Sequence, residues 1–412
     1  MPRTLISLLT CTVLTAAASA ADVSNVRGLM RFDFVNGSHA PDEVWTAVAN
    51  DAVYTDTTGY GYDPEPRSDE PYRFSVRVPD GNYRVTVQLG DAAAESVTTV
   101  KSEQRRLQLE RVAVPAGRIV TRSFTVNIRT PKIAGGGEVK IGERELGRRH
   151  WDDQLSLEFS GQNPAVANVE IERIDNATTI FLAGDSTVTD QANEPFAGWG
   201  QLLPRFVRSD VAIANYAESG RSLSSFAAER RLEKILGVAK PGDYLFIQFG
   251  HNDMKEKFEG AGAYGNYTAN LKTFIAEARE RRMTPVLITP MHRRRFDAAG
   301  KVQNSFGDYP DAMRKVAADE HVALIDLMPM SLKFYEALGV EGSKRAFVHY
   351  PANTFPNQVE PLKDDTHHST YGGYELARCV VEAMRTTPAL AALLSADVVP
   401  FDPSEPDVNV GE

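Results

Sequence analysis

Two hydrophobic rhythms divide the chain. From residue 22 to about 175, apolar and polar residues alternate in short runs. Tyr72-Arg73-Phe74-Ser75-Val76-Arg77-Val78 and Tyr83-Arg84-Val85-Thr86-Val87-Gln88-Leu89 flank the turn Pro79-Asp80-Gly81-Asn82, which predicts a hairpin with one buried face. Similar runs follow at 106–114, 119–128, 155–159 and 166–174, and helical spacing is nearly absent. Short strands at this spacing predict an all-β sandwich or jelly roll over 22–175. Arg31-Phe32-Asp33-Phe34 and Gly59-Tyr60-Gly61-Tyr62 read as exposed aromatic segments near its edges.

The rhythm changes after Asp175-Asn176-Ala177. Apolar β-prone runs at 180–183, 212–216, 244–249, 285–289 and 322–326 alternate with helical patterns near 199–208, 222–236, 265–282, 309–319 and 371–385. Buried strands alternating with helices predict a parallel sheet covered on both faces, a three-layer doubly wound α/β domain over 178–398. Residues 399–412, rich in Pro and Asp, read as coil.

Before both halves stands a processing segment over residues 1–20. Arg3 precedes an apolar run from Leu5 to Ala18, and Ala18-Ser19-Ala20 has the small residues of a cleavage site. Its removal predicts an exported protein and takes the net charge from −10 to −11 with Arg3. Of the two cysteines, Cys379 then remains alone, in an apolar helical stretch that suits a buried structural thiol. The absence of a basic stripe argues against a nucleic-acid partner, and the apolar leader is too short to anchor the chain in a membrane.

Chemistry enters at the ends of the strands, where open α/β sheets bind their ligands. The first strand of the second half runs into Gly184-Asp185-Ser186-Thr187, and Gly184 permits a sharp turn there. The second leads to Glu218-Ser219-Gly220-Arg221-Ser222 and the third to Gly250-His251-Asn252-Asp253. Asp364-Asp365-Thr366-His367-His368 precedes the last long helix. Acyl transfer needs a nucleophile, a base, a group that orients the base, and oxyanion donors. Ser186, His367, Asp364 and the pair Gly220 and Asn252 can supply these in turn. Asp365 reads as a turn residue and His368 as a substrate-side or structural group.

Those four blocks, in this order, resemble the SGNH/GDSL hydrolases over residues 179 to about 395. With Gly198-Trp199-Gly200-Gln201 and Arg293-Arg294-Arg295-Phe296 they resemble the bacterial rhamnogalacturonan acetylesterases within that superfamily, and the first half resembles galactose-binding-like jelly rolls of carbohydrate-active enzymes. The resemblance implies Ser186 as nucleophile, His367 as general base and Asp364 as its orienter. It implies an oxyanion hole from the Ser186 and Gly220 N–H groups and the Asn252 side chain, with no metal or organic cofactor.

The expected partner is an acetylated plant cell-wall polysaccharide met outside the cytoplasm. Arg293 and Arg294 could bind the carboxylates of a galacturonate backbone or pair with surface acids. Trp199 could floor a sugar subsite or pack inside. Other expectations stay open: acetylated xylan as substrate, a non-catalytic carbohydrate-binding protein, or a lipase or thioesterase, which would need an apolar insertion over the acyl chain.

Overall fold

The structure, a computed structural model, describes residues 28–407 except 36, 38, 41, 42 and 64–71. The processing segment and residues 408–412 of the expected coil lie outside the described residues.

The second half is built as its rhythm predicts. Thr178–Gly184, Val211–Asn215, Tyr244–Gln248, Thr284–Ile288 and Ala323–Ile325 form parallel strands, with Thr178–Gly184 between Val211–Asn215 and Tyr244–Gln248. Side chains of a strand alternate between the two faces of its sheet. Ile180 and Leu182 therefore enter one buried cluster with Trp199, Phe334 and Leu376. Phe181 and Ala183 enter the other with Phe226, Phe274 and Val316. Two cores on one sheet make the three layers of a doubly wound fold. Cys379 is buried in the first core, and burial pushes its thiol well up. Among the described residues no helix is long and apolar enough to cross a membrane.

The first half packs two sheets face to face. One holds Tyr60–Tyr62, Tyr72–Arg77, Gln154–Gln162, Ser96–Ser102 and Arg106–Val114. The other places Gly81–Leu89 between Val120–Ile128 and Val166–Arg173. The predicted hairpin is therefore corrected: Tyr72–Arg77 pairs with Gln154–Gln162, and Gly81–Leu89 lies in the opposite sheet. Alternation shows which face of a strand is buried, but not which strand it joins. Asp80 in the connecting turn instead caps the Thr130 N–H and binds Lys234 Nζ of the second half at 2.7 Å.

The aromatic segments are also corrected. Phe32 and Tyr62 are buried, and Phe32, Phe34 and Tyr62 all pack on Phe74, with ring centroids 5.0–5.8 Å apart. They form the sandwich core. Edge-to-face ring packing of this kind stabilises beyond area burial alone.

The halves share one sheet. Thr125 and Val126 of Val120–Ile128 pair in parallel with Ala212 and Ile213, so the parallel sheet continues into the sandwich as ten strands. Buried charges cross the same junction. Arg106 Nε donates to Asp190 Oδ2 at 2.6 Å, and Asn215 Nδ2 donates to Asp190 Oδ1 at 2.7 Å.

Candidate active site

Ser186 stands two residues beyond Thr178–Gly184, in a turn closed by the Val188 and Thr189 N–H groups on the Asp185 carbonyl. Gly184 is needed here for space rather than for a special backbone angle. A Cβ on it would stand 2.6 Å from Val188 Cγ2. Gln191 Nε2 donates to the Ser186 carbonyl at 2.8 Å and fixes the turn from outside.

His367 Nε2 lies 2.9 Å from Ser186 Oγ, and His367 Nδ1 lies 2.7 Å from Asp364 Oδ2. The other carboxylate oxygen of Asp364 accepts from the Thr366 and His367 N–H groups at 2.8 and 2.9 Å. Burial alone would raise Asp364, but the His367 ring and these two N–H groups outweigh it and hold the carboxyl down to about 2. The carboxylate thus stays charged and favours the imidazole tautomer with hydrogen on Nδ1. That tautomer leaves Nε2 free to accept the Ser186 proton.

Asp364 and His367 do not sit on a loop at the end of a parallel strand. They lie within the strand Leu362–Ser369, antiparallel to Phe347–Tyr350. The register jumps there: Phe347 faces His368, while its neighbour Val348 faces Asp364. Residues 365–367 form the bulge between, which folds His367 back onto Asp364.

The bulge also separates the doubled residues. Asp365 points outward and takes His349 Nε2 at 2.8 Å and Arg294 Nη1 at 3.0 Å. His368 points inward, 1% exposed, with Nε2 2.7 Å from the Tyr335 hydroxyl. Burial pushes His368 down to about 3, so it is neutral. It packs in the core and does not line the cleft that holds Ser186.

The loops of Gly220 and Asn252 are held together by two hydrogen bonds. Asp253 Oδ1 accepts from the Leu223 N–H at 2.9 Å, tying the third-strand loop to the start of the helix that follows Gly220. Asn252 Nδ2 donates one hydrogen to the Arg221 carbonyl at 3.1 Å, which leaves the second for the cleft. Gly220 adopts φ +82°, a conformation costly to any residue with a Cβ. Beneath the site, His251 Nδ1 lies 3.3 Å from Asp185 Oδ2, with both side chains buried. Burial would raise Asp185, but His251 and Thr187 hold it low.

Ser186, Gly220, Asn252, Asp364 and His367 line one cleft of about 650 Å³. Among its lining residues Phe196 is the one with an apolar side chain. Three cations join them: Arg293, Lys255 and, from the first half, Arg144. Arg294 does not line it. Its guanidinium is held by Asp365, Ser343 and the Val340 carbonyl. Trp199 is also outside the cleft. It is 1% exposed and donates from Nε1 to Gln248, whose amide in turn donates to Thr187 Oγ1 at 3.0 Å. It supports the nucleophile turn from within the core.

The sequence reading did not find Lys255, Gln191 or Arg144. Nothing local distinguishes them from solvated surface residues. This constellation can transfer a small acyl group: a hydroxyl and an imidazole in hydrogen-bonding reach, with oriented donors across the cleft.

The model of the family described as GDSL-like lipase/acylhydrolase matches residues 182–376. A rhamnogalacturonan acetylesterase of Bacillus subtilis (strain 168) is 42% identical over 207 residues, 50% of this chain and 88% of its own. A second protein of that organism, named "Probable rhamnogalacturonan acetylesterase", is 39% identical over 214 residues, 51% of this chain and 93% of its own. A crystal structure of a further Bacillus subtilis protein aligns over 87% of this chain and 99% of its own, at 22% identity and a TM-score of 0.48.

Proposed function

Because the chain belongs to the GDSL-like lipase/acylhydrolase family and is a serine esterase, we propose that it removes acetyl groups from rhamnogalacturonan, outside the cytoplasm. The observation that carries the small-acyl reading is that Phe196 is the one apolar side chain among the residues lining the cleft. A fatty acyl chain needs an apolar wall, and Phe196 alone does not make one. The polymer reading draws on the relatives' names and on Arg293 in the cleft, since a guanidinium suits a uronate carboxylate.

In the proposed mechanism Ser186 Oγ attacks the acetyl carbonyl as His367 Nε2 takes its proton. Asp364 holds the ring and offsets the charge that forms on it. The developing oxyanion meets the Ser186 and Gly220 N–H groups and the free hydrogen of Asn252 Nδ2. His367 then returns the proton to the departing sugar oxygen, leaving an acetyl-serine. Water enters by the same steps in reverse order of roles and releases acetate.

Acetate release from acetylated rhamnogalacturonan and acetylated xylan, set beside nitrophenol release from long-chain nitrophenyl esters, tests this reading. The first should be the best substrate by kcat/KM. Preference for xylan would move the substrate to a neutral polymer, and preference for long acyl chains would overturn the acetylesterase reading.

A further inference from the structure

Arg144 reaches the catalytic cleft from the other half of the molecule. It sits in the short turn Glu143–Glu145, which Glu145 pins in place. Glu145 Oε2 accepts from Arg231 Nη2 at 2.6 Å and from the Gly142 N–H at 2.9 Å, and Oε1 accepts from Trp151 Nε1 at 2.9 Å. Glu145 and Arg231 are each 1% exposed or less. The backbone under Arg144 is therefore anchored on the α/β half. Its guanidinium leans over the oxyanion loop: a Cβ built on Gly220 would lie 3.9 Å from Arg144 Nη2.

Its guanidinium shares a recess with Glu143, Glu145 and Glu218 but forms no ion pair with any of them. Arg148, Arg149, Arg221 and Arg231 all have carboxylate partners. Among the described residues Arg144 has none. The two other cleft cations are alike in this. Lys255 Nζ donates to Asn252 Oδ1, and Arg293 donates to the His251 carbonyl and the Met254 sulfur. In a chain of net charge −10, which has acids to spare, three cations without an ion-pair partner among the described residues flank one serine. Desolvating them around a neutral ligand would be unfavourable, whereas an anionic ligand gains from the focused field. Asp364, the one carboxylate in the lining, is already engaged by His367.

We propose that Arg144 is a specificity residue that the β-rich half lends to the active site, where it binds the carboxylate of a uronic acid unit next to the acetylated sugar. Lys255 and Arg293 complete the cationic rim. The inference rests on the rhamnogalacturonan reading and adds to it a role for the first half.

The test compares the full chain with Arg144→Ala, Arg144→Lys and Arg144→Glu on two polymers. One is acetylated rhamnogalacturonan, and the other is the same polymer with its carboxyl groups reduced to alcohols. Arg144→Ala should lower the acidic-to-reduced ratio of kcat/KM by about tenfold, through KM, at low salt. Arg144→Lys should recover part of the ratio and Arg144→Glu lower it further. Salt near 0.3 M should shrink the difference. Equal losses on both polymers would show that Arg144 only shapes the loop, and an unchanged ratio would remove it from the site. Either result overturns this inference while the wild type still deacetylates rhamnogalacturonan. A wild type that releases no acetate from that polymer overturns the reading beneath it as well.

Discussion

Arg106, a residue of the β-rich half, donates at 2.6 Å to Asp190, four residues beyond Ser186, and each side chain is 1% exposed. The nucleophile turn is thus fastened to the other half of the chain by a buried charge. Removing one partner leaves the other buried and uncompensated. Arg106→Ala should therefore destabilise the protein by about 3–5 kcal/mol in urea denaturation. The double variant Arg106→Met with Asp190→Leu should lose much less. A loss below about 1 kcal/mol for the single variant would show that water reaches the pair.

Ser186→Ala should retain the circular dichroism of the wild type and lose at least about 10³ in kcat on 4-nitrophenyl acetate. The hydroxyl is within reach of the His367 ring, and its loss removes no packing. Activity within tenfold of wild type would move the nucleophile elsewhere.

The doubled residues at 364–368 predict a split between activity and stability. His367→Ala and Asp364→Asn should cost about 10³–10⁴ in kcat with little change in melting temperature. His368→Ala should instead lower the melting temperature, since it empties a buried space beside Phe347 and strands the Tyr335 hydroxyl. The opposite pattern would shift the catalytic pair by one residue.

Asn252→Ala should lower kcat by about 10²–10³ with KM nearly unchanged, because its amide meets full charge only in the transition state. A change confined to KM would make the residue a ground-state binder.

Asp253 gives a pH signature. Its burial pushes the carboxyl up to about 7, the Leu223 N–H works against this, and the charge of Asp185 adds to it. The folded chain keeps a proton that the unfolded chain releases near 3.8. Between those values the folded state binds more protons, so this group's contribution to stability declines as pH rises from about 4 to about 7. Asp253→Asn keeps the acceptor for Leu223 and removes the charge. It should flatten that decline and raise the urea midpoint at pH 8. A lower midpoint at pH 8 would show that the charged form is stabilised.

The α/β half was largely legible because its strands are buried on both faces, and runs such as Ile180-Phe181-Leu182-Ala183 have no other comfortable place. The first three motifs fell at the ends of its strands for the same reason. The helix Leu327–Gly342 and the strand Leu362–Ser369 were not read. Leu-Lys-Asp-Asp-Thr-His-His-Ser has no alternation, since a bulge breaks its register and several of its polar groups are engaged by each other. Trp199 and His368 were open between surface and core. Each pairs one polar ring atom with a buried partner, Gln248 or Tyr335, and sequence spacing does not reveal such pairings. Arg106 and Arg144 act on a loop from far away in the chain. Their roles depend on the docking of the halves, which no local pattern encodes.

That docking also decides what a truncated chain would do. The strand Val211–Asn215 is an inner strand only because Thr125 and Val126 complete its far side. A protein begun near residue 178 would turn it into an edge, with bare amide groups and an apolar flank open to any other extended chain. Asp190 would lose the guanidinium of Arg106 in the same cut. Such a fragment should self-associate through that border. The sandwich is therefore a built-in guard against aggregation, and linker-scanning proteolysis should find no nick between the halves that leaves the esterase half monomeric.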